Sequence, residues 1–216
     1  MDKKFRNLRN ENVDWDVVND FGTEWEEFRF ESYDLDILRK TWNQYFDIFP
    51  WDDISENAEG FDMGCGSGRW AQFVIPRVGR LNCIDPSSAI HVAKSNLKKY
   101  DNAFFFKETV EKCSLENGSQ DFGYSLGVLH HIPDTQKAIK DCAIKLKKGA
   151  PFLLYLYYDF EDKPALFKFI WKLTNLLRLK VISKLPPRIK KLICSIIAII
   201  IYYPLAKLSR ILEFFG

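Results

Sequence analysis

A chain of 216 residues with 47% hydrophobic content suits one folded domain with a buried core plus an appendage. Its formal net charge of +2 hides an asymmetry: residues 163–216 hold 11 basic residues against the single acid Glu213, and the remaining 162 residues hold 20 basic against 28 acidic. In residues 163–216 the basic residues are interleaved with large aliphatics, and the rest of the chain is acidic on balance, which is unlike a solvated, phosphate-tracking groove, so no nucleic-acid partner is expected.

In chain order, the start MDKKFRNLRNENVDWD is too polar for a signal peptide. Residues 21–50 are rich in aromatics, and Trp42, Tyr45, Phe46 and Phe49 recur on one helical face, a pattern more typical of core than of a substrate box. Strands are expected near residues 58–63, 81–85, 103–107, 121–127 and 151–158, with helices between them. The first strand runs into FDMGCGSGRW, where Asp62 is followed by Gly64, Gly66 and Gly68 at two-residue spacing. Such a loop lets the chain leave a strand, turn sharply and open a helix against a ligand, with Gly68 at the helix start. The second strand ends at Asp85, 21 residues beyond Gly64, where a carboxylate is placed to accept hydrogen bonds from two ribose hydroxyls. Asp85 could instead cap the helix that begins at Ala89, although Ser87 can do that. Val110 and Glu111 follow the third strand, and VLHHIPD, with His130 and His131, follows the fourth and leads to a helix near Asp134. His91, on the helix after Asp85, reads as a surface or packing residue. Strict alternation of strand and helix implies a doubly wound parallel sheet, with ligand outside the carboxyl ends of the strands.

Two other glycine loops fail here. No Lys followed by Ser or Thr stands where a phosphate-gripping loop needs it, and the third position of the dinucleotide pattern is Arg69, too bulky for that glycine's packing role. This disfavours a nicotinamide-dependent oxidoreductase. The pattern D-x-G-x-G-x-G, together with DFGYSLGVLHHIPDT, resembles the class I S-adenosylmethionine-dependent methyltransferases, specifically the type 11 kind, over about residues 20–160. The resemblance implies a Rossmann-like methyltransferase sheet and S-adenosyl-L-methionine as cofactor. It implies cofactor contacts from Asp62, Gly64, Cys65, Gly66, Gly68, Asp85, Val110, Glu111 and Gly127, with His131 as the catalytic candidate and His130 packing in the turn. Thr109 stands where many relatives have an Asp toward the adenine amine. FGTEWEEF is similar to a segment that lies over the cofactor in related bacterial proteins, which gives Phe21 and Trp25 the role of a lid.

The tail departs from that plan, since no sixth and seventh strand can be read in it. Leu166, Ile170, Leu173 and Leu177 form one helical face opposite Lys168, Lys172 and Asn175, and Pro186 and Pro187 end that helix. The apolar run from Leu192 to Ala206 is 15 residues long and contains Pro204, so it falls short of the roughly 20 residues of a bilayer span. It is expected to be a core helix, an oligomer contact or an interfacial element whose lysines meet anionic lipid. The five cysteines are scattered without metal-ligand spacing, as in a cytoplasmic protein with reduced thiols and no metal. The organisation expected is therefore a lid segment at 1–50, a cofactor domain at 51–162 and a helical appendage at 163–216. The function expected is methyl transfer to a small or lipid-linked acceptor, in the cytoplasm with peripheral membrane contact. The alternative is a noncatalytic methyltransferase-like protein that binds a membrane or partner through its C-terminal helices.

Overall fold

Short apolar runs closed by glycine or carboxylate turns form strands, and the periodic segments between them form helices. In the computed structural model, which describes residues 11–27, 34–157 and 163–215, the order is α1 (Trp15–Glu27), α2 (Leu35–Phe46), β1 (Glu59–Met63), α3 (Ala71–Val74), β2 (Arg80–Ile84), α4 (Ala89–Asn96), β3 (Ala103–Phe106), β4 (Phe122–Leu126), α5 (Thr135–Ala143), β5 (Phe152–Tyr155), α6 (Ala165–Lys180), α7 (Pro187–Ile197) and α8 (Tyr203–Phe215). The strands pair in parallel in the order β3-β2-β1-β4-β5. This is the doubly wound sheet that alternation implied. The chain reverses its direction of travel across the sheet between β1 and β4, and a crevice opens there at the carboxyl ends. Among the described residues no strand follows β5. The expected strand end at Tyr158 and the expected boundary at residue 162 lie outside the described residues.

The centre of the sheet is built on reciprocal pairs. Gly60 lies beside Phe122 and Phe61 beside Gly123, and a Cβ on either glycine would fall 2.3 Å from the facing phenyl ring. Each ring therefore occupies the space its partner lacks. Both phenylalanines are fully buried, which stabilises the fold by about 1.5–3 kcal/mol per side chain. On one face Trp42, Phe46 and Phe49 pack with Val74, Leu81, Ile90 and Tyr124, and on the other Met63, Ile84 and Leu129 pack with Ala138 and Cys142. The helices begin where local chemistry supplies acceptors: Asp34 accepts from Asp36 N at 2.9 Å ahead of α2, and Asp134 accepts from Lys137 N at 2.8 Å ahead of α5.

The chain divides into two units, Met1–Tyr157 and Tyr158–Gly216, so α1 and α2 fall in the same unit as the sheet. In the second unit the described residues include none that is buried. Its long helix corrects the sequence expectation. Pro204 does not interrupt it: α7, a π turn at Ala198–Tyr202 and α8 follow one another directly. Proline has no N–H to give and its ring crowds the preceding turn. The widened turn, in which Tyr203 N donates to Ala198 O, is where a helix accommodates such a residue. All five cysteines are free, with Cys65, Cys83, Cys113 and Cys142 buried and Cys194 exposed. Among the described residues no cluster could hold a metal ion.

Candidate active site

At the carboxyl ends of β1, β2 and β4 a cavity of about 460 Å³ lies between the turns that leave the sheet. The turn after β1 is fixed from below, with Gly64 N and Cys65 N both donating to Ile84 O at 2.8 and 3.1 Å. Gly64 has φ +79°, and a Cβ there would fall 2.4 Å from the Val128 side chain. Gly66 has φ +53°, and a Cβ there would meet Trp25 Nε1 at 3.1 Å. Both positions therefore require glycine, one for its backbone and for Val128, the other for its backbone and the roof above it.

Asp85 joins the first turn to the second. Its Oδ2 accepts from Gly66 N at 2.9 Å, while Oδ1 accepts from Ser87 N at 2.9 Å and from Ser87 Oγ at 2.5 Å. The start of α4 is served by Ser87, whose Oγ accepts from Ala89 N at 3.2 Å. Asp85 is buried at the cavity wall, and with Oδ1 accepting twice and Oδ2 once it keeps one further lone pair, on Oδ2, for a ligand's hydroxyl.

In the turn after β4, Gly127 N donates to Tyr155 O at 2.8 Å, and its φ of +76° brings Val128 back over Gly64. His131 then faces the cavity, with Phe21 edge-on at 5.0 Å between ring centroids. Burial pushes the His131 imidazole below its ordinary range, so at neutral pH it is a base rather than a cation.

Helix α1 roofs the cavity with Val17, Val18, Phe21 and Trp25. It approaches closely because Gly22 packs on the turn before α4, where a Cβ would fall 2.8 Å from Ser88 Oγ. The segment before α1 is clasped to two loops at once. Asn12 N donates to Glu111 Oε2 at 2.8 Å, and the Asn12 side chain exchanges hydrogen bonds with the backbone of Asp134 at 2.9 and 2.8 Å. Tyr45, Trp70, Tyr155 and Tyr157 add an aromatic section to the wall, and Arg69 lies over the rings of Trp25 and Trp70 at 5.1 and 4.4 Å.

Of the residues singled out from sequence, Gly64, Cys65, Gly66, Asp85, Val110, Gly127 and His131 line the cavity; Asp62, Gly68 and Glu111 do not. Asp62 is buried beneath the loop beside the Tyr124 hydroxyl, and its Oδ2 makes no hydrogen bond. Burial pushes this carboxyl up to about 8, which keeps it protonated at neutral pH. Gly68 faces α4, where a Cβ would fall 2.6 Å from Leu97, and α3 begins at Ala71 rather than at Gly68. Glu111 is occupied by the clasp, accepting from Asn12 N and from Lys137 Nζ at 2.9 Å, and these bonds hold it below the usual carboxylate range. His130 does not line the cavity; its ring lies 4.1 Å from that of His131, and neither of its nitrogens makes a hydrogen bond.

Sequence reasoning missed Glu108, which lines the cavity one position before Thr109, and it assigned Tyr45 to the core stripe. Only Trp42, Phe46 and Phe49 of that stripe are buried. Among the described residues, the cavity wall holds the carboxylates of Asp14, Glu24, Asp85 and Glu108 against the single guanidinium of Arg69. A glycine loop, an adjacent carboxylate and an acidic wall fit a nucleoside that carries a cationic amino-acid tail.

Residues 61–154 match the methyltransferase domain family of the type 11 kind. No curated protein matches the chain. Among solved structures, the YcgJ protein of Bacillus subtilis is 27% identical with a TM-score of 0.52, over 65% of this chain and 58% of that one. A candidate methyltransferase from Bacillus halodurans shares the fold at 17% identity and a TM-score of 0.54, over 64% of this chain and 59% of that one. Geranyl diphosphate C-methyltransferase of Streptomyces coelicolor, solved with S-adenosyl-L-homocysteine, shares the fold at 12% identity and a TM-score of 0.54, over 63% of this chain and 50% of that one. The chain thus spans less than two thirds of the length of these structures. Residues 61–154 are a methyltransferase domain of the S-adenosylmethionine-dependent class.

Proposed function

We propose that the chain transfers the methyl group of S-adenosylmethionine to a small or lipid-linked acceptor. The observation that carries this reading is the junction of Gly66 and Asp85: a carboxylate at the end of β2 bonds the amide of a glycine loop, at the edge of a cavity where acids outnumber cations. Such a wall disfavours the diphosphate of a dinucleotide and favours a sulfonium.

The cofactor, when bound, supplies an electrophilic methyl carbon and carries the hard chemistry. The protein then has to bind, orient and exclude water. Gly64, Cys65 and Gly66 allow the loop to lie close along the ligand, and Asp85 accepts from a ribose hydroxyl on the Oδ2 lone pair that Gly66 leaves. Val110, Thr109 and Glu108 wall the region where the adenine would lie, and Gly127 keeps the turn after β4 free of a side chain. Phe21 and Trp25 cover the site. Where the acceptor's nucleophile is protonated, His131 takes the proton at an imidazole nitrogen, for which its neutral state suits it.

The tail supports an amphipathic or lipid-linked acceptor. Its basic residues near an anionic surface contribute about 1 kcal/mol each, fading over the Debye length, and tethering raises the effective concentration of an acceptor held in the same membrane. Calorimetric titration with S-adenosylmethionine, S-adenosylhomocysteine and NAD tests the central claim. Binding of the first two without NAD is expected. Tight NAD binding with no response to S-adenosylhomocysteine would falsify it.

A further inference from the structure

The helix from Arg188 to Arg210 is long and apolar enough to cross a membrane by length and composition, and none of it is buried. A core helix of a water-soluble domain would pass the same test of composition, but it would be covered by its own protein. At 1.5 Å per residue its 23 residues extend about 34 Å, against a hydrocarbon thickness of about 30 Å. From Leu192 to Ala206 there is no charged side chain on any face, and the polar atoms belong only to Cys194, Ser195, Tyr202 and Tyr203. A helix lying in the membrane interface needs a polar face along its length, and this one has none. Cations stand instead at its two ends, Arg188, Lys190 and Lys191 before the run and Lys207 and Arg210 after it, where long side chains reach to headgroup level. Tyr202 and Tyr203 lie toward the second end, as interfacial aromatics do.

The backbone stays helical through the run. Inside a bilayer every N–H and C=O has to be satisfied within the segment, and Pro204 would ordinarily disturb that. Here it follows a π turn in which Tyr203 N donates to Ala198 O, so the helix continues. Helix α6 is different in kind: Leu166, Phe169, Ile170, Leu173 and Leu177 are exposed on a broad apolar arc, with Lys168, Lys172 and Asn175 opposite.

We infer that Arg188–Arg210 spans a lipid bilayer and that α6 lies in its interface, so that the chain is integral to the membrane and not peripheral. This extends the membrane contact proposed above. Cys194, in the apolar run, is the one exposed cysteine, while the other four are buried, so the native chain carries its own depth probe.

The test reconstitutes the full chain with phosphatidylcholine vesicles containing phosphatidylglycerol and follows flotation, extraction and labelling by a membrane-impermeant maleimide. Expected are flotation that survives high salt and alkaline carbonate, and Cys194 labelled only after detergent is added. Replacing Ile196→Lys together with Ile200→Lys should abolish carbonate resistance and leave S-adenosylhomocysteine binding unchanged. Flotation reversed by salt or carbonate, with Cys194 labelled on intact vesicles, overturns the span and leaves only surface contact. No flotation, or Cys194 protected without lipid in a self-associated chain, overturns the membrane contact as well. The methyltransferase reading stands or falls separately on the cofactor titration.

Discussion

Phe61 and Phe122 in the sheet and Ile199 and Ile200 in the C-terminal helix are all large and apolar, yet the phenylalanines are fully buried and the isoleucines are 68% and 66% exposed. The difference lies in what surrounds each in sequence. In the first unit the central strands are buried on both faces beneath helices whose apolar residues recur at helical spacing, so those helices have a polar side to give to water. From Leu192 to Ala206 the run is apolar on all sides, and no single packing face can satisfy it. A helix of that kind needs an apolar medium around it. The two units therefore respond to different solvents, and perturbing one should leave the other's behaviour intact.

The largest effect is expected at the glycine loop. Gly66→Val forces a β-branched side chain into a positive-φ position beneath Trp25, and binding of S-adenosylhomocysteine should fall below detection by calorimetry while the circular dichroism spectrum and vesicle binding stay as in the parent. Loss of both behaviours together would break the separation of the two units.

Asp85→Ala should weaken S-adenosylhomocysteine by about 1.5–3 kcal/mol, more than tenfold, because hydrogen bonds to a charged acceptor are lost. Ser87→Ala separates the roles of the carboxylate. Ser87 serves α4, so its removal should lower thermal stability while changing affinity much less. If Asp85→Ala binds normally, the carboxylate only holds the turn.

On the second unit, Lys190→Gln and Lys191→Gln each remove about 1 kcal/mol of attraction to an anionic surface, roughly fivefold in partitioning, with no change in cofactor affinity. Equal partitioning to anionic vesicles before and after the substitutions would show that charge does not contribute.

For a protonated acceptor, His131→Gln should lower turnover more than cofactor affinity. Parent activity should rise with pH through a value below the ordinary imidazole range, since burial favours the neutral ring, and the variant should lose that limb. An unchanged profile would remove His131 from the chemistry.

An effect on stability rather than on binding concerns Asp62. Its folded-state carboxyl is raised to about 8, above the unfolded value of about 3.9, so the folded form holds a proton that the unfolded form releases. This group therefore costs stability progressively as pH rises from about 4 to about 8. Asp62→Asn should gain on the parent across that window, seen as a difference in melting temperature that widens with pH; a constant difference would mean the carboxyl titrates normally.

Much of the fold was legible because its signals are local. The ends of β1, β2 and β4 coincide with a glycine or a carboxylate, and α4 and α5 start within a residue of Ser88 and Asp134. The loop glycines were legible too, because positive φ is a backbone requirement that a side chain advertises by its absence. Which way a side chain faces was less so. Tyr45 shares its helix and spacing with Trp42 and Phe46, and only the placement of α2 against the end of β5, where Tyr45 meets Tyr155 at 4.8 Å, turns it to the cavity. Glu111 was a cofactor candidate by position, but Asn12, 99 residues earlier in sequence, occupies it.

The sequence by itself determined the parallel α/β order, the glycine turn, the carboxylate at Asp85 and the charge division at residue 163, since each follows from composition, spacing or backbone sterics within a short window. Only the tertiary structure decided that Asp62 and Gly68 support the loop from behind and that Glu111 is taken up by Asn12. Those outcomes depend on which distant atoms fill a space or accept a bond, and spacing along the chain carries no record of that.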